Sequence, residues 1–339
     1  MSTKVIRPKT HEEWLKLRTQ GIGSSEIAVI CGLNSFSTPY QLWLRKREEI
    51  ETLERGEELI DETNEAMLWG HLFEDSVAQR WSMATNHDVI KASQGDWCIL
   101  NDRESFLMAS PDRTYWIDAD GKRNEQNKGI VECKTTMMDV DPELLNPESP
   151  SYDPNCKEAR LWQSWFAQLQ WQLGVGEYKE GYIACCVLSK RKFVTERYDF
   201  NPAFFDILVE QAKRFWEVNI VGGEEPAAIS GQDAAARFAR ENPNTTIEVG
   251  EDIKEIHDEL VEVKQNIKAL EEVKAELEGK MQIAHGDNEV VTFQGTTLST
   301  WKSPKVSVSF DYKRYQADHP DECKPYMVEK QGSRRLLIK

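Results

Sequence analysis

The chain has 339 residues, 40% of them hydrophobic, 29% charged and 9% aromatic, which is the balance of a soluble globular protein, and this length predicts two domains. A formal net charge of −16 excludes a protein that coats nucleic acid by neutralising phosphates over its whole surface, so a nucleic-acid site here is a local basic lining on an acidic body. There is no apolar run of membrane-spanning length and no signal-peptide core in MSTKVIRPKT, and the seven scattered cysteines form no C-x-x-C pair; a reducing cytoplasm, without disulfide framework or four-cysteine metal centre, is expected.

From Thr10, THEEWLKLR predicts a capped amphipathic helix with Glu13 at the capping-box position, ending near Gly21. A second, short helix begins at Ser24 or Ser25, buries Ile27, Ala28 and Ile30, and stops at Cys31-Gly32. A third starts at Ser37 to Thr38, and a longer fourth spans Glu65 to Asn86 with Leu68, Leu72, Val77 and Trp81 as its apolar stripe. The pattern then changes. HDVIKAS, DWCILN, FLMASPDRTYWID and KGIVECKTT are short β-branched and aromatic runs punctuated by polar residues and glycine, and they read as strands. A helix over Glu158 to Leu173, strands in EGYIACCVL and KFVTERYDF, and a helix from Pro202 to about Val218 complete one α/β unit, residues 1–222.

GGEEPAAISGQDAA carries the Gly, Pro and Ser of a linker, which opens a stretch of linker and short elements over 223–250. Beyond it, in an accessory region 251–339, Ile253, Ile256, Leu260, Val263, Ile267, Leu270, Leu277, Met281 and Ala284 recur at alternating spacings of three and four, interrupted by Lys274. This predicts a coiled-coil-like helix, with packing inside the chain as the default for so few heptads. EVVTFQGTTLSTWKSPKVSVSFD then alternates like a hairpin around Gln294-Gly295, followed by a short helix and the basic tail GSRRLLIK.

The segments richest in chemistry are SPDRTYW, with Asp112, and IVECKTT, with Glu132 and Lys134. Residues two apart in a strand share a face, so Glu132 and Lys134 project together while Cys133 turns to the opposite layer. If Asp112 comes from a neighbouring strand or turn, two hard oxygen ligands converge, which suits Mg²⁺ completed by water and substrate phosphate. Lys134 beside the bound water would then help orient attack on a phosphodiester. A surface salt bridge is the plain alternative, and D…E-x-K arises often by chance; what raises its value is Glu132 in an otherwise apolar strand, beside Ile130 and Val131, where a lone charge is costly.

W-L-K-L-R (Trp14 to Arg18), G-I-G-S-S-E-I-A (Gly21 to Ala28), W-G-H-L-F-E (Trp69 to Glu74), A-S-P-D (Ala109 to Asp112), V-E-C-K (Val131 to Lys134) and A-Q-L-Q-W-Q-L (Ala167 to Leu173) occur in this order. Together these blocks, over roughly residues 10 to 220, resemble the lambda-exonuclease and YqaJ-type viral recombinase family of the PD-(D/E)xK nuclease superfamily. The resemblance implies an α/β (α+β), restriction-endonuclease-like central mixed sheet flanked by helices. It implies Asp112 and Glu132 as metal ligands for Mg²⁺, with Mn²⁺ a substitute, Lys134 as the residue that positions or activates the nucleophilic water, Glu74 as a further carboxylate near the metals, and Gln168 as the supporting glutamine. Gln170 is its rival, and because a helix sets the two about 200° apart, only one can face the site; Gln168 is chosen. Arg18 and Ser25 resemble the family's pocket for the 5′-phosphate of a DNA end, and a Gly-Ser-Ser helix start with an arginine nearby suits an anion. Glu26 makes that pocket less than purely basic.

The implied activity is 5′-to-3′ digestion of one strand of duplex DNA from its ends, leaving a 3′ tail for a single-strand annealing protein, by a homotrimeric ring. A restriction-like or repair endonuclease on the same fold, or a non-catalytic DNA-end-binding scaffold, are the rivals. His71 has no metal-ligand spacing to another histidine, Trp162, Trp165, Phe166 and Trp171 read as core, and Lys190 to Lys192 form a basic turn that either contacts phosphate or is solvated.

Overall fold

A computed structural model describes residues 3–34, 36–60, 64–90, 97–117, 127–329 and 332–339. It divides into two units, Met1–Arg237 and Phe238–Lys339. In the first, β1 (Thr3–Ile6) leads to α1 (His11–Arg18), α2 (Ser24–Ile30), α3 (Pro39–Glu54) and α4 (Glu65–Thr85). Each helix start is closed by a polar group: Thr10 Oγ1 accepts from Glu13 N at 3.1 Å, Glu26 Oε2 from Gly23 N at 2.9 Å, and Thr38 Oγ1 from Gln41 N at 3.2 Å. The return arm of the α1 box differs from expectation, since Glu13 Oε2 accepts from Lys9 N at 2.7 Å.

The strands β2 (Val89–Ile90), β3 (Cys98–Asn101), β4 (Met108–Ala109), β5 (Arg113–Trp116) and β6 (Lys128–Thr136) come next; the expected continuation of the first of them into Lys91 to Ser93, and the run's last residue Asp118, lie outside the described residues. Then come α5 (Lys157–Gly176), β7 (Glu180–Val187), β8 (Lys192–Asp199), α6 (Pro202–Arg214) and α7 (Gly231–Arg237). The central sheet has the order β2-β5-β6-β7-β8, with β6 and β7 parallel and the other pairs antiparallel, and β1-β3-β4 form a smaller antiparallel sheet. A parallel neighbour requires a crossover, and α5 is that crossover.

Helices cover both faces of the sheet. On one, Val77, Ala78 and Trp81 of α4 pack with Tyr115, Val131, Cys133 and Ala184; on the other, Leu169 and Leu173 of α5 pack with Ile130, Ile183 and Cys185. The apolar stripe expected for α4 holds only in its C-terminal half, because Leu68 is 45% and Leu72 60% exposed. Three successive residues of α5 reach three different elements: Gln170 Nε2 donates to Asp199 O at 2.9 Å, Trp171 Nε1 to Met108 O at 2.8 Å, and Gln172 Nε2 to Glu132 Oε2 at 2.7 Å.

Past Arg214, α6 widens into a π-helical turn over Phe215–Val221, with Gly222 N donating to Glu217 O at 2.9 Å, and the Asn219 carbonyl accepts from the Trp43 indole at 2.9 Å. At Gly174, where α5 meets α6, an added Cβ would lie well inside van der Waals contact with the buried Phe205 ring. Gly174→Ala is therefore expected to destabilise the protein by about 1–3 kcal/mol despite alanine's better helix propensity. Urea unfolding checks this, and equal or greater stability would contradict the packing.

The second unit contains α8 (Glu251–His285), the hairpin β9 (Val290–Phe293) and β10 (Thr296–Thr300), α9 (Tyr312–Asp318) and α10 (Pro320–Cys323). Gln294 and Gly295 turn the hairpin with φ of 48° and 82°, the positive pair that suits the twist of two antiparallel strands. The hairpin is bolted to the end of α8 by buried His285, whose Nε2 lies 2.8 Å from Ser299 Oγ and whose ring lies edge-on to Trp301. The stripe of α8 departs from the expected packing inside the chain, because Ile256, Leu270 and Leu277 are exposed. Among the described residues, no helix is long and apolar enough to cross a membrane.

Candidate active site

The register between β5 and β6 sets the site. Arg113 pairs with Val131, so Asp112, just before β5, stands beside Glu132, and its Oδ2 accepts from Cys133 N at 2.7 Å. Alternation along β6 sends Val131 and Cys133 toward α4 and leaves Ile130, Glu132 and Lys134 on the side of α5. There Glu132, only 1% exposed, is held at both oxygens: Gln168 Nε2 donates to Oε1 at 2.5 Å and Gln172 Nε2 to Oε2. Lys134 Nζ lies 2.6 Å from Glu132 Oε1 and donates to Gln168 Oε1 at 3.0 Å. Gln170 points away, taken by Asp199 O and Asn201 N, as the helical angle requires.

Glu74 arrives from α4. Its Oε1 lies 2.8 Å from His71 Nδ1 and its Oε2 accepts from Arg113 Nη1 at 3.3 Å. Arg113 also donates to Asp75 at 2.9 Å and to the Asp112 carbonyl, so it ties three acidic residues together.

A cavity of about 400 Å³ joins these groups to the α1–α2 region: Arg18 and Ser25 line it together with Glu74, Asp112, Glu132, Lys134 and Gln168. The Arg18 guanidinium stacks 4.7 Å from the centre of the Trp14 ring. Ser24 also lines the cavity, and its buried hydroxyl has no partner among the described residues. Glu26 is buried here but compensated, with Lys46 Nζ 3.0 Å from Oε2, Arg45 Nη2 2.9 Å and Arg18 Nη2 4.0 Å from Oε1. Arg18, which lines the cavity, is thus one of three cations that share the Glu26 charge. Burial pulls Lys46 below the ordinary lysine range against the attraction of Glu26; burial would raise Glu26, yet Lys46, Arg18 and Arg45 hold it below the usual carboxylate range.

Burial, then the charges of Glu132 and Glu74, push Asp112 well above the usual carboxylate range. Such an excess of negative potential is what a divalent cation relieves, and Asp112 and Glu132 offer the hard oxygens Mg²⁺ takes. The described residues contain no group of three or more His, Cys, Asp or Glu gathered as a metal cage. For Lys134, burial would lower the pKa, but Glu132 and Asp112 outweigh it and hold the ammonium above its ordinary range. Lys134 thus stands as a charged donor beside Glu132. Burial and the same carboxylates raise Cys133 well above a normal thiol, so it is no nucleophile.

Sequence reasoning missed Gln172, whose signal is its place four residues after Gln168 on one helix face, and Arg113, adjacent to Asp112. Buried Lys46 gave no signal. In the basic turn, Lys192 Nζ is tied to Asp141 at 3.0 Å and lies 3.7 Å from Asp139.

Residues 13–179 match the model of the YqaJ-like viral recombinase domain. The chain is 29% identical over 320 residues to an uncharacterized protein YqaJ of Bacillus subtilis (strain 168), covering 92% of this chain and 89% of the relative. Among solved structures, it is similar to an alkaline exonuclease (LHK-Exo) from Laribacter hongkongensis, with a TM-score of 0.42 and 15% identity over 62% of this chain and 93% of that one. It is also similar to a phage related exonuclease from Haemophilus somnus 129PT, with a TM-score of 0.39 and 12% identity over 62% of this chain and all (100%) of that one.

Proposed function

We propose, from the match of residues 13–179 to the model of the YqaJ-like viral recombinase domain, that the chain is a metal-dependent 5′-to-3′ exonuclease on duplex DNA ends, with the chemistry in residues 1–222. The observation that carries this reading is the convergence of Asp112, Glu132, Lys134 and Gln168 with Arg18 and Ser25 in one cavity. Asp112 and Glu132 would hold Mg²⁺ or Mn²⁺ with Glu74 alongside, and the cation would supply Lewis acidity at the scissile phosphate.

The chain's own residues do the rest. Gln168 and Gln172 fix the Glu132 carboxylate, so its oxygens need no reorganisation during reaction. Lys134 orients the attacking water and offsets charge that builds on the phosphoryl oxygens. The stacked guanidinium of Arg18 and the Ser25 hydroxyl grip the terminal 5′-phosphate, which positions the next phosphodiester over the carboxylates. In this reading three copies close into a ring, the 3′ tail passes to a single-strand annealing protein, and 251–339 is an accessory region.

Digestion of a linear duplex labelled separately at its 5′ and 3′ termini tests the proposal. Early 5′-label release is expected, abolished by chelator and faster with a 5′-phosphate, while circular plasmid stays intact. Arg18→Ala is expected to remove most of the phosphate preference, by about tenfold or more. Cleavage of the circle, or early loss of the 3′ label, would overturn it.

A further inference from the structure

We propose that α8 pairs with the α8 of a second copy of the chain as an antiparallel two-helix coil, its two-fold axis crossing between Lys268 and Ala269. Ile253, Leu260, Ile267, Lys274 and Met281 stand seven residues apart, and Ile256, Val263, Leu270, Leu277 and Ala284 come three residues after each of them. This is the period that winds two helices around a shared seam. A 35-residue helix with such a row gains its stability by packing that row rather than from propensity. Yet Ile256 is 58% exposed, Leu270 68% and Leu277 56%, and within the helix only the terminal His285 is buried.

The charges flanking the row choose the occupant. In an antiparallel pair with full overlap, Ile267 meets Leu270 of the second copy, Leu260 meets Leu277, Ile253 meets Ala284, and Lys274 lies over Val263. Beside them, Lys264 comes opposite Glu271 of the second copy and Glu259 opposite Lys280, and the two-fold repeats each pair. A parallel pair would set Lys274 against its own counterpart in the seam, and it would lose both flanking matches and offer only Glu259 with Lys264 in their place. His257, at one end of the seam, already lies 3.1 Å from the Lys339 carbonyl and is left out of the pairing. None of these residues lines the cavity, so the pairing stands whether or not the nuclease reading does.

Sedimentation equilibrium of the full chain is the test. The wild-type mass is expected to be an even multiple of the chain's, and Leu270→Glu is expected to halve it. Lys264→Glu and Glu271→Lys should each weaken association by about tenfold, since two attractive pairs become repulsive. The double variant exchanges the charges and should restore association. Equal mass for wild type and Leu270→Glu, as for a monomer or an assembly held elsewhere, overturns the proposal. So does a double variant that stays dissociated, the result a parallel pair or a different partner gives.

Discussion

Asp112→Asn is expected to lower metal-dependent digestion of linear duplex by about a thousandfold while raising the melting temperature of the metal-free protein. The two effects have one origin. Part of Asp112 reaches the cavity surface, but its carboxyl is closed in against Glu132 and Glu74, and the shared negative charge raises its proton affinity. The amide removes one of those charges and keeps an oxygen able to accept from Cys133 N–H. The strain of the empty cluster falls, and with it the attraction for a cation. Wild-type protein should gain melting temperature on addition of Mg²⁺, by mass action on the folded state, and the variant should gain little. Digestion at the wild-type rate by Asp112→Asn would remove the carboxylate from the chemistry.

The second large effect is on stability. Lys46→Met is expected to cost about 3–5 kcal/mol, read from urea unfolding. Lys46 is fully buried, and its ammonium is saturated: it pairs with Glu26 Oε2 and donates to Gly21 O at 2.7 Å and Arg18 O at 3.2 Å. Methionine fills the space but leaves two carbonyls without a donor and Glu26 with Arg45, the more distant Arg18 and its own Gly23 N–H. Because Glu26 is held below its ordinary range, its contribution is complete at neutral pH and is lost as pH falls through its folded-state pKa; the loss should begin at higher pH in the variant. A change under about 1 kcal/mol would mean that the pair holds nothing in place. What it holds is the turn between α1 and α2, and so the end of α1 that carries Arg18.

Where the reading of the sequence succeeded, local rules were enough. The alternation Ile130, Val131, Glu132, Cys133, Lys134 fixes which side chains share a face of β6, and helical phase separates Gln168 from Gln170. Thr10 and Thr38 announce helix starts by chemistry alone. What escaped depends on contacts distant in sequence. A lysine in LRKRE looks solvated, and nothing local shows that Lys46 faces Glu26, twenty residues earlier, across a packed turn. Leu68 and Leu72 obey the helical period yet stay exposed, because period says which residues share a face and not whether anything covers it. The same gap hid the exposed row on α8, and the widened turn after Arg214 depends on an indole from α3.

The run Gln170-Trp171-Gln172 gives α5 the character of an indexed shaft. A residue added or lost between Gln168 and Gln172 rotates the side chains on either side of it by about 100° relative to one another, so these attachments would lose phase. A change in the length of this segment is therefore tolerated at its Cys156 end, ahead of the first turn, but not between Gln168 and Gln172. Glu132 is timed to the same shaft, through Gln168 and Gln172.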